Sequence, residues 1–221
     1  MEGIRTNFAE NPDIMKKAIS FIFMVMLAVS LSACGNDEPQ TVNPGNENNM
    51  NTGGDTPDVP ADSKILVAYF SWGGTTRNMA EQIAQQTGGT LFEIIPVNPY
   101  PTEYTPCTEV ALQERDSDAR PAIKNRVAYM ESYDVVFIGC PVWWHTAPMI
   151  INTFTESYDF KGKTVVPFCT YASTYRDETL AKIVALTPES SHLTGLGLTS
   201  GGVANSGNVA SWLRNIKVIS D

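Results

Sequence analysis

The chain has 221 residues, of which 43% are hydrophobic and 10% aromatic, enough to bury one sizeable core but not clearly two. Its formal net charge of -9 argues against a nucleic-acid-binding protein, which would present a basic surface to phosphates. We therefore expect one globular domain and no nucleic-acid partner.

The first feature along the chain is a segment typical of exported proteins. Lys16 and Lys17 precede an apolar run over residues 18–31, and small residues lead from the end of the run to Cys34. A basic start, an apolar stretch and small residues are the parts of a signal peptide. The run is shorter than the roughly 20 residues that span a bilayer. We predict a signal peptide over residues 1–33, with Met15 as an alternative start.

The LSAC tetrapeptide at the end of this segment resembles the lipobox of bacterial lipoproteins. The resemblance implies that Cys34 is acylated and becomes the mature N-terminus. Membrane lipid would then hold the protein in the cell envelope, at the periplasmic face or on the outer-membrane surface. An ordinary secretory peptide with an incidental cysteine is the alternative.

The next segment has the composition of a flexible linker. Residues 35–63 are rich in Asn, Gly, Pro, Asp and Thr, and contain no Lys or Arg. Such a composition cannot bury enough apolar surface to offset the entropy lost on ordering. We predict a lipidated cysteine and a disordered acidic tether over residues 34–63. The Asp37-Glu38 pair resembles surface-export signals of some lipoproteins, and a solvated linker charge is its other interpretation.

From Lys64 onward the chain alternates between strand and helix patterns. Short apolar runs rich in Val and Ile are typical of parallel strands buried on both faces, and they cover residues 65–70, 91–97, 135–139 and 164–168. A last strand, over residues 192–198, is weakened by Gly195 and Gly197.

Between the strands, apolar residues repeat at helical spacing. The stripes are Met79, Ala80, Ile83 and Ala84, then Leu180, Ile183, Val184 and Leu186, then Val209, Trp212, Leu213 and Ile216. A further helix is predicted from Thr146 through Phe154, and the long crossover over residues 99–130 has helical segments near 108–115 and 123–130. Alternating strands and helices predict an α/β sandwich with a parallel sheet.

Ligands of such sheets bind beyond the carboxyl ends of the strands. In the first loop, residues 71–78, glycines, hydroxyls and a helix start form a candidate phosphate cradle, and a glycine-rich turn with an N-cap is the structural alternative. No G-x-G-x-x-G or P-loop motif is present.

Two further loops supply groups for a flat heterocycle. In the second loop, residues 139–146, Trp143 and Trp144 are adjacent, so at least one of them should be exposed or face a ligand. An aromatic plug under the loop is the alternative for either one. In the third loop, residues 169–175, hydroxyls and backbone amides suit a polar ring edge, and Ser173 or Thr174 also suits a helix N-cap.

The motifs ILVAYFSWGGTTRN, PYPTEY, YDVVFIGCPVWWHTAPMIINTF and KGKTVVPFCT resemble the flavodoxin-like family found among bacterial lipoproteins and small flavoproteins. The resemblance covers residues 64–221. It implies a doubly wound three-layer α/β sandwich with a five-stranded parallel sheet of order 2-1-3-4-5, and flavin mononucleotide (FMN) as cofactor. The residues that it assigns to FMN are Ser71, Gly74, Thr75, Thr76, Pro141, Val142, Trp143, Trp144, Thr170, Tyr171, Ala172 and Ser173.

Two positions depart from the family pattern. Gly73 stands where relatives commonly have a hydroxyl, and Tyr171 enlarges a third loop that is often glycine-rich, so that it could stack on the flavin or obstruct it.

The resemblance implies electron transfer, or a flavin-dependent quinone-type reductase, at the cell envelope. Reduced nicotinamides are cytosolic, so an exported protein would draw electrons from a membrane quinol or a protein partner. The alternative is a flavodoxin-fold surface module that has lost FMN. A hydrolase lacks support, because no G-x-S-x-G motif occurs.

The remaining chemistry-bearing residues give weaker signals. His145 beside the predicted ring is interpreted as a loop residue with a local hydrogen bond. Cys107, Cys140 and Cys169 are interpreted as small buried hydrophobes, although Cys140 and Cys169 end neighbouring strands and a disulfide or redox pair is the alternative. Two histidines and no C-x-x-C motif predict no metal site.

Overall fold

The structure, a computed structural model, describes residues 59–220 of the chain. The predicted signal peptide, the acylation of Cys34 and most of the tether lie outside the described residues, so they stay predictions. Packed structure begins before Lys64, because Val59 packs against buried residues of the core.

Parallel strands form a single sheet. They are β1 (Ile65–Tyr69), β2 (Thr90–Glu93), β3 (Val135–Pro141), β4 (Thr164–Thr170), β5 (Ser191–His192) and β6 (Leu196–Leu198). Their order is β2-β1-β3-β4-β5, and β6 also pairs with β4, further along that strand. Because β5 and β6 share one position beside β4, the sheet has five positions in the order 2-1-3-4-5. The predicted fold class is confirmed.

The fifth position is interrupted at residues 193–195. The interruption lies opposite Val166 and Pro167 of β4, and a proline has no N–H to donate to a neighbouring strand. Gly195 packs directly on this proline, since a Cβ at position 195 would lie 2.7 Å from the carbonyl oxygen of Pro167. The glycine that weakened the strand prediction therefore has a packing role.

Helices cover both faces of the sheet and complete three layers. They are α1 (Thr75–Thr87), α2 (Tyr104–Asp116), α3 (Met149–Glu156), α4 (Arg176–Ala185), α5 (Ser200–Ala204) and α6 (Ser206–Asn215). The apolar stripes of α1 and α6 are buried on one face, and those of α3 and α4 pack on the other. α2 packs beside α3, at the edge of the second layer.

The crossover between β2 and β3 contains one α-helix, not two. Residues 123–130 form no α-helix, and only a 3-10 turn follows at Met130–Ser132. The backbone around residue 123 instead bonds to the residues that follow β2. Val97 N–H donates to the carbonyl of Ala122 at 2.8 Å, and Lys124 N–H donates to the carbonyl of Ile95 at 2.7 Å. These bonds hold the segment extended, so the prediction of a second helix is wrong.

The same geometry corrects the expectation for the second strand. The apolar run over residues 91–97 predicted burial on both faces, but β2 is the edge strand and Leu91 is 43% exposed. The ladder ends at Glu93, and the extended crossover segment pairs with the residues that follow. Within the described part of the chain, no helix has the length and apolar character needed to cross a membrane.

Candidate functional site

The three loops predicted to hold a ligand meet at the carboxyl edge of the sheet. They follow β1, β3 and β4, which are neighbours in the sheet. Hydrogen bonds join their starting points: Phe70 N–H donates to the carbonyl of Gly139 at 2.9 Å, and Val142 N–H donates to the carbonyl of Thr170 at 2.8 Å. The loops therefore converge, as the parallel topology requires.

The first loop ends at an open helix N-terminus. Gly74 has φ +88°, a left-handed conformation that glycine adopts without strain, and its N–H donates to the Ser71 hydroxyl at 3.2 Å. No side chain caps α1, so the N–H groups of its first turn are available to an anion. The guanidinium of Arg77 forms an ion pair with Glu93. The loop thus offers backbone donors at a positive helix end.

Thr76 does not present its hydroxyl to the surface of this cradle. Its side chain is buried, and its Oγ1 lies 2.7 Å from Oγ1 of Thr170, which is also buried. The Thr76 hydroxyl therefore faces the interior, and the assignment of this residue to FMN stays a prediction. Its backbone N–H, in the first turn of α1, remains in the cradle.

Beside this cradle, the second loop, the third loop and α2 enclose a cleft of about 450 Å³. That volume lies within the range of roughly 300–1,000 Å³ that is usual for small-molecule sites. The lining residues are Trp72, Tyr104, Cys107, Thr108, Ala111, Val142, Trp143, Trp144, His145, Ala172, Ser173, Thr174 and Tyr175.

The second loop is a tight turn with an uncommon backbone. Trp143 N–H donates to the carbonyl of Thr146 at 2.9 Å, and the reverse bond is 3.0 Å. Between them, Trp144 and His145 have φ of +45° and +71°, the geometry of a type I′ turn that favours Asn or Gly. Residues other than glycine keep this backbone conformation only where the surrounding structure holds them, and such residues cluster at functional sites.

The two tryptophans have different supports. Trp143 is half-buried and packs edge-on against Phe70 and Tyr100, with ring centroids 5.3 and 4.9 Å away. Trp144 is 38% exposed, and its indole N–H donates to the carbonyl of Thr108 at 2.8 Å. The guanidinium of Arg115 lies 5.5 Å from the centre of the Trp144 ring. Trp143 therefore packs partly in the core and partly lines the cleft, whereas Trp144 is held against α2 by its hydrogen bond to Thr108.

A ring stack joins the second and third loops. The rings of His145 and Tyr175 lie 3.7 Å apart between centroids and are inclined by 24°. Tyr175 also has a positive φ, of +63°. His145 was expected to make only a local hydrogen bond, and the structure instead places it in contact with a residue from another loop.

The predicted site residues divide into two groups. Those that line the cleft are Val142, Trp143, Trp144, Ala172 and Ser173. Those outside its lining are Ser71, Gly74, Thr75, Thr76, Pro141, Thr170 and Tyr171. Tyr171 is not among the residues that line the cleft, and its backbone N–H donates to the carbonyl of Leu198 at 3.1 Å. The assignment of these residues to FMN stays a prediction.

Sequence reasoning missed the wall that α2 provides. Tyr104, Cys107, Thr108 and Ala111 line the cleft from this helix. Its position against the cleft depends on contacts distant in sequence. The local signals were the PYPTEY motif, which ends at the first residue of α2, and the helical segment predicted near residues 108–115. Trp72 was missed as well. It lines the cleft and also a neighbouring cavity of about 380 Å³, and its indole N–H donates to the carbonyl of Pro101 at 2.8 Å.

Burial shifts the ionisable groups in and behind this wall of the cleft toward their neutral forms. Burial raises the pKa of the Cys107 thiol and of the Glu114 carboxyl, and the hydroxyl of Tyr100, which donates to Glu114 at 2.8 Å, partly offsets the shift of the carboxyl. Burial also raises the pKa of Tyr100. Near neutral pH the Cys107 thiol is therefore a poor nucleophile.

Cys140 and Cys169 occupy paired positions on β3 and β4, as neighbouring strand ends require. Both are free thiols and fully buried. Burial raises the pKa of Cys169 to about 12 and that of Cys140 well above its usual value. They have the character of small buried hydrophobic side chains. In the described part of the chain, no group of three His, Cys, Asp or Glu residues could hold a metal ion.

An open helix N-terminus next to an aromatic-lined cleft suits a ligand that combines a phosphate with a flat ring. The sequence model of the Flavodoxin family matches residues 64–216. No curated protein matches the chain.

Solved structures give the same result. A protein from Bacteroides eggerthii DSM 20697, described as a flavoprotein, is 37% identical, with a TM-score of 0.61, over 70% of this chain and 98% of its own. A protein from Bacteroides uniformis ATCC 8492, described in the same way, is 35% identical, with a TM-score of 0.61, over 69% of this chain and 98% of its own.

A flavoprotein from Lactobacillus acidophilus NCFM, solved in complex with FMN, shares the fold at 22% identity and a TM-score of 0.57, over 68% of this chain and 98% of its own. The family match covers more than half of the chain, and it agrees with the sheet order and with the convergence of the three loops. The chain belongs to the flavodoxin family.

Proposed function

We propose that this protein binds FMN at the carboxyl edge of its sheet and transfers electrons in the cell envelope. The observation that carries the proposal is the uncapped N-terminus of α1 beside an aromatic-lined cleft of about 450 Å³. The FMN complex of the Lactobacillus acidophilus flavoprotein, which has the same fold, supports the choice of ligand.

Different residues would bind the phosphate and the ring of FMN. The phosphate is held by N–H groups of the first turn of α1, from Thr75 and Thr76, with Ser71 and Gly74 shaping the turn. The ring is held between the second and third loops, where Trp143 and Trp144 provide aromatic surface and Ala172 and Ser173 provide backbone groups. When bound, FMN would supply one- and two-electron redox chemistry, and the protein would control access to it.

Exposed aromatic side chains surround the cleft and suit an apolar, flat electron partner. They are Trp72, Tyr104, Trp144 and Tyr175, with exposures of 37%, 73%, 38% and 38%. Such surfaces stack on planar rings. We therefore propose a membrane quinol, or a protein that presents a similar group, as the electron partner, and a quinone-type reductase as the enzymatic form of this function.

The point where the chain enters the domain is compatible with an anchor at Cys34. Val59 and Pro60 line a cavity together with Asp134 and Gly162, which precede β3 and β4 at the amino edge of the sheet. The described chain therefore begins near the amino edge of the sheet, and the cleft lies at the carboxyl edge. The proposal of an envelope location itself rests on the signal peptide and the lipid site predicted at Cys34.

A second candidate is a binding module without FMN. The stack of His145 on Tyr175 favours it, because these two rings already fill part of the space between the loops.

Purification of the full chain from solubilised membranes separates the two candidates. We expect a yellow protein that releases one FMN per chain on denaturation. A colourless protein that takes up no added FMN would contradict the proposal and support the binding module. Replacement of Cys34 by Ala should move the protein from the membrane to the soluble fraction without changing its flavin content. Retention of the variant in the membrane would contradict lipid anchoring.

A further inference from the structure

Thr170 connects all three loops of the site. Its hydroxyl contacts that of Thr76, in the first turn of the helix that follows the first loop, at 2.7 Å. Its carbonyl accepts the N–H of Val142, in the second loop, at 2.8 Å. It is also the last residue of β4, directly before Tyr171 in the third loop. A shift of Thr170 would therefore change the position of the phosphate cradle and of the second and third loops, which line the cleft.

The contact between the two hydroxyls lies in the interior. Thr76 is 2% exposed and Thr170 is 6% exposed, so water has little access to either. A buried hydroxyl without a partner is unfavourable, and each of these residues has the other as its partner. The pair thus fixes the first turn of α1 against the end of β4, although 94 residues separate them in sequence.

We propose that Thr76 and Thr170 are a positioning pair that couples the phosphate cradle to the flavin-ring cleft. The proposal rests on FMN binding as the function of the cleft. Occupation of the helix N-terminus by phosphate holds the first turn, the hydroxyl contact transmits that position to Thr170, and Thr170 sets the second and third loops. Coupling of this kind is reciprocal, because each ligand strengthens the binding of the other by the same factor.

The test measures riboflavin binding by quenching of flavin fluorescence, with and without saturating inorganic phosphate. The proteins compared are the flavin-free wild type, Thr76→Val, Thr170→Val and the double variant. Valine keeps the shape of threonine and removes the hydroxyl. In the wild type we expect phosphate to strengthen riboflavin binding about tenfold, a typical size for coupling between sites. In all three variants we expect less than about a twofold effect, and in the double variant no further loss, since one contact is removed in each.

Thr155→Val is the matched control. Thr155 is also a buried threonine, 4% exposed, and its hydroxyl bonds to carbonyls of its own helix, α3, at 3.0 Å. This variant should lose some stability and keep the phosphate effect of the wild type. Thr76→Ser and Thr170→Ser keep the hydroxyl, so they should show the same effect of phosphate on riboflavin binding as the wild type. They can be measured even if a valine variant fails to fold.

The outcomes are distinguishable. If the wild type binds neither FMN nor riboflavin, the proposed function is contradicted. If the wild type binds FMN but phosphate has the same effect in the valine variants, or no effect in the wild type, the positioning role alone is overturned. Equal weakening of FMN and riboflavin in the valine variants, with the phosphate effect intact, would also overturn it, since that pattern indicates a general structural role.

Discussion

The first loop and the cleft beside it are built in different ways. The first loop is local: Ser71, Gly74 and the start of α1 make a cradle from consecutive backbone groups. The cleft is assembled from α2 and two loops that are distant in sequence, and it depends on side chains packed from below. The difference implies that substitutions in the first loop should change ring binding only through the bound phosphate, whereas substitutions around the cleft should change ring binding directly and lower stability more.

The largest effect is expected for Gly139→Ala, inside β3 and close to the second loop. A Cβ at this position would lie 2.0 Å from the ring of Phe168, which is fully buried. The ring is packed in the core, so its displacement would disturb neighbouring side chains, and we expect the free energy of unfolding to fall by more than about 3 kcal/mol. Urea denaturation measures the change. A loss below about 1 kcal/mol would show that the cleft does not depend on the core beneath it.

Trp143→Ala should have the next largest effect and Trp144→Ala a smaller one. Trp143 packs on Phe70 and Tyr100, so its removal should cost about 2 kcal/mol of stability and weaken FMN retention. Trp144 is fastened mainly by its bond to Thr108 and its contact with Arg115, so its removal should cost about 1 kcal/mol. Thermal unfolding and flavin titration check both values. The reverse order would mean that Trp144 supports the cleft more than Trp143 does.

Gly74→Ala tests the first loop. Its φ of +88° disfavours any side chain, although no atom lies within 4 Å of the added Cβ. We expect a cost of about 1 kcal/mol and a weaker affinity for FMN, with riboflavin affinity unchanged. Gly73→Ala is the control, because its Cβ also meets no atom and its φ is not left-handed. An equal loss of riboflavin binding in Gly74→Ala, measured without phosphate, would show that the first loop shapes the cleft directly and not only through the bound phosphate.

The smallest effect concerns the pH dependence of stability at Glu114. The Glu114 carboxyl accepts a hydrogen bond from Tyr100, whose ring packs against Trp143. Burial raises the pKa of Glu114. A carboxyl with a raised pKa stabilises the fold when protonated, and this contribution is present below the unfolded-state pKa and lost as the pH rises through the folded-state pKa. Glu114→Gln, always neutral, should therefore gain stability relative to the wild type on going from acid to neutral pH, by less than about 1 kcal/mol.

Urea midpoints at several pH values measure this difference. Tyr100→Phe is the companion variant: it removes the hydroxyl bond that lowers the pKa of Glu114, so it should steepen the pH dependence. Parallel pH profiles for Glu114→Gln and the wild type would mean that the carboxyl titrates normally.

The two regions also differ in how far the sequence predicted them. Hydrophobic runs and helical stripes gave the class of fold, because the burial that they require follows from the spacing of neighbouring residues. Residues 123–130 were misassigned, since the hydrogen bonds that hold their start extended come from residues 95–97. In the second loop the sequence indicated that one tryptophan faces a ligand, but the division between Trp143 and Trp144 depends on Phe70 and Thr108.

The sequence by itself determined the alternation of strands and helices, the position of the first loop and the resemblance to flavodoxins. Each of these depends on residues close together in the chain. Only the tertiary structure decided that α2 forms a wall of the cleft, that His145 stacks on Tyr175, and that the hydroxyl of Thr76 faces Thr170. The physical reason is that these contacts join segments that only packing of helices on the sheet brings together, and no local pattern records which side chains then meet.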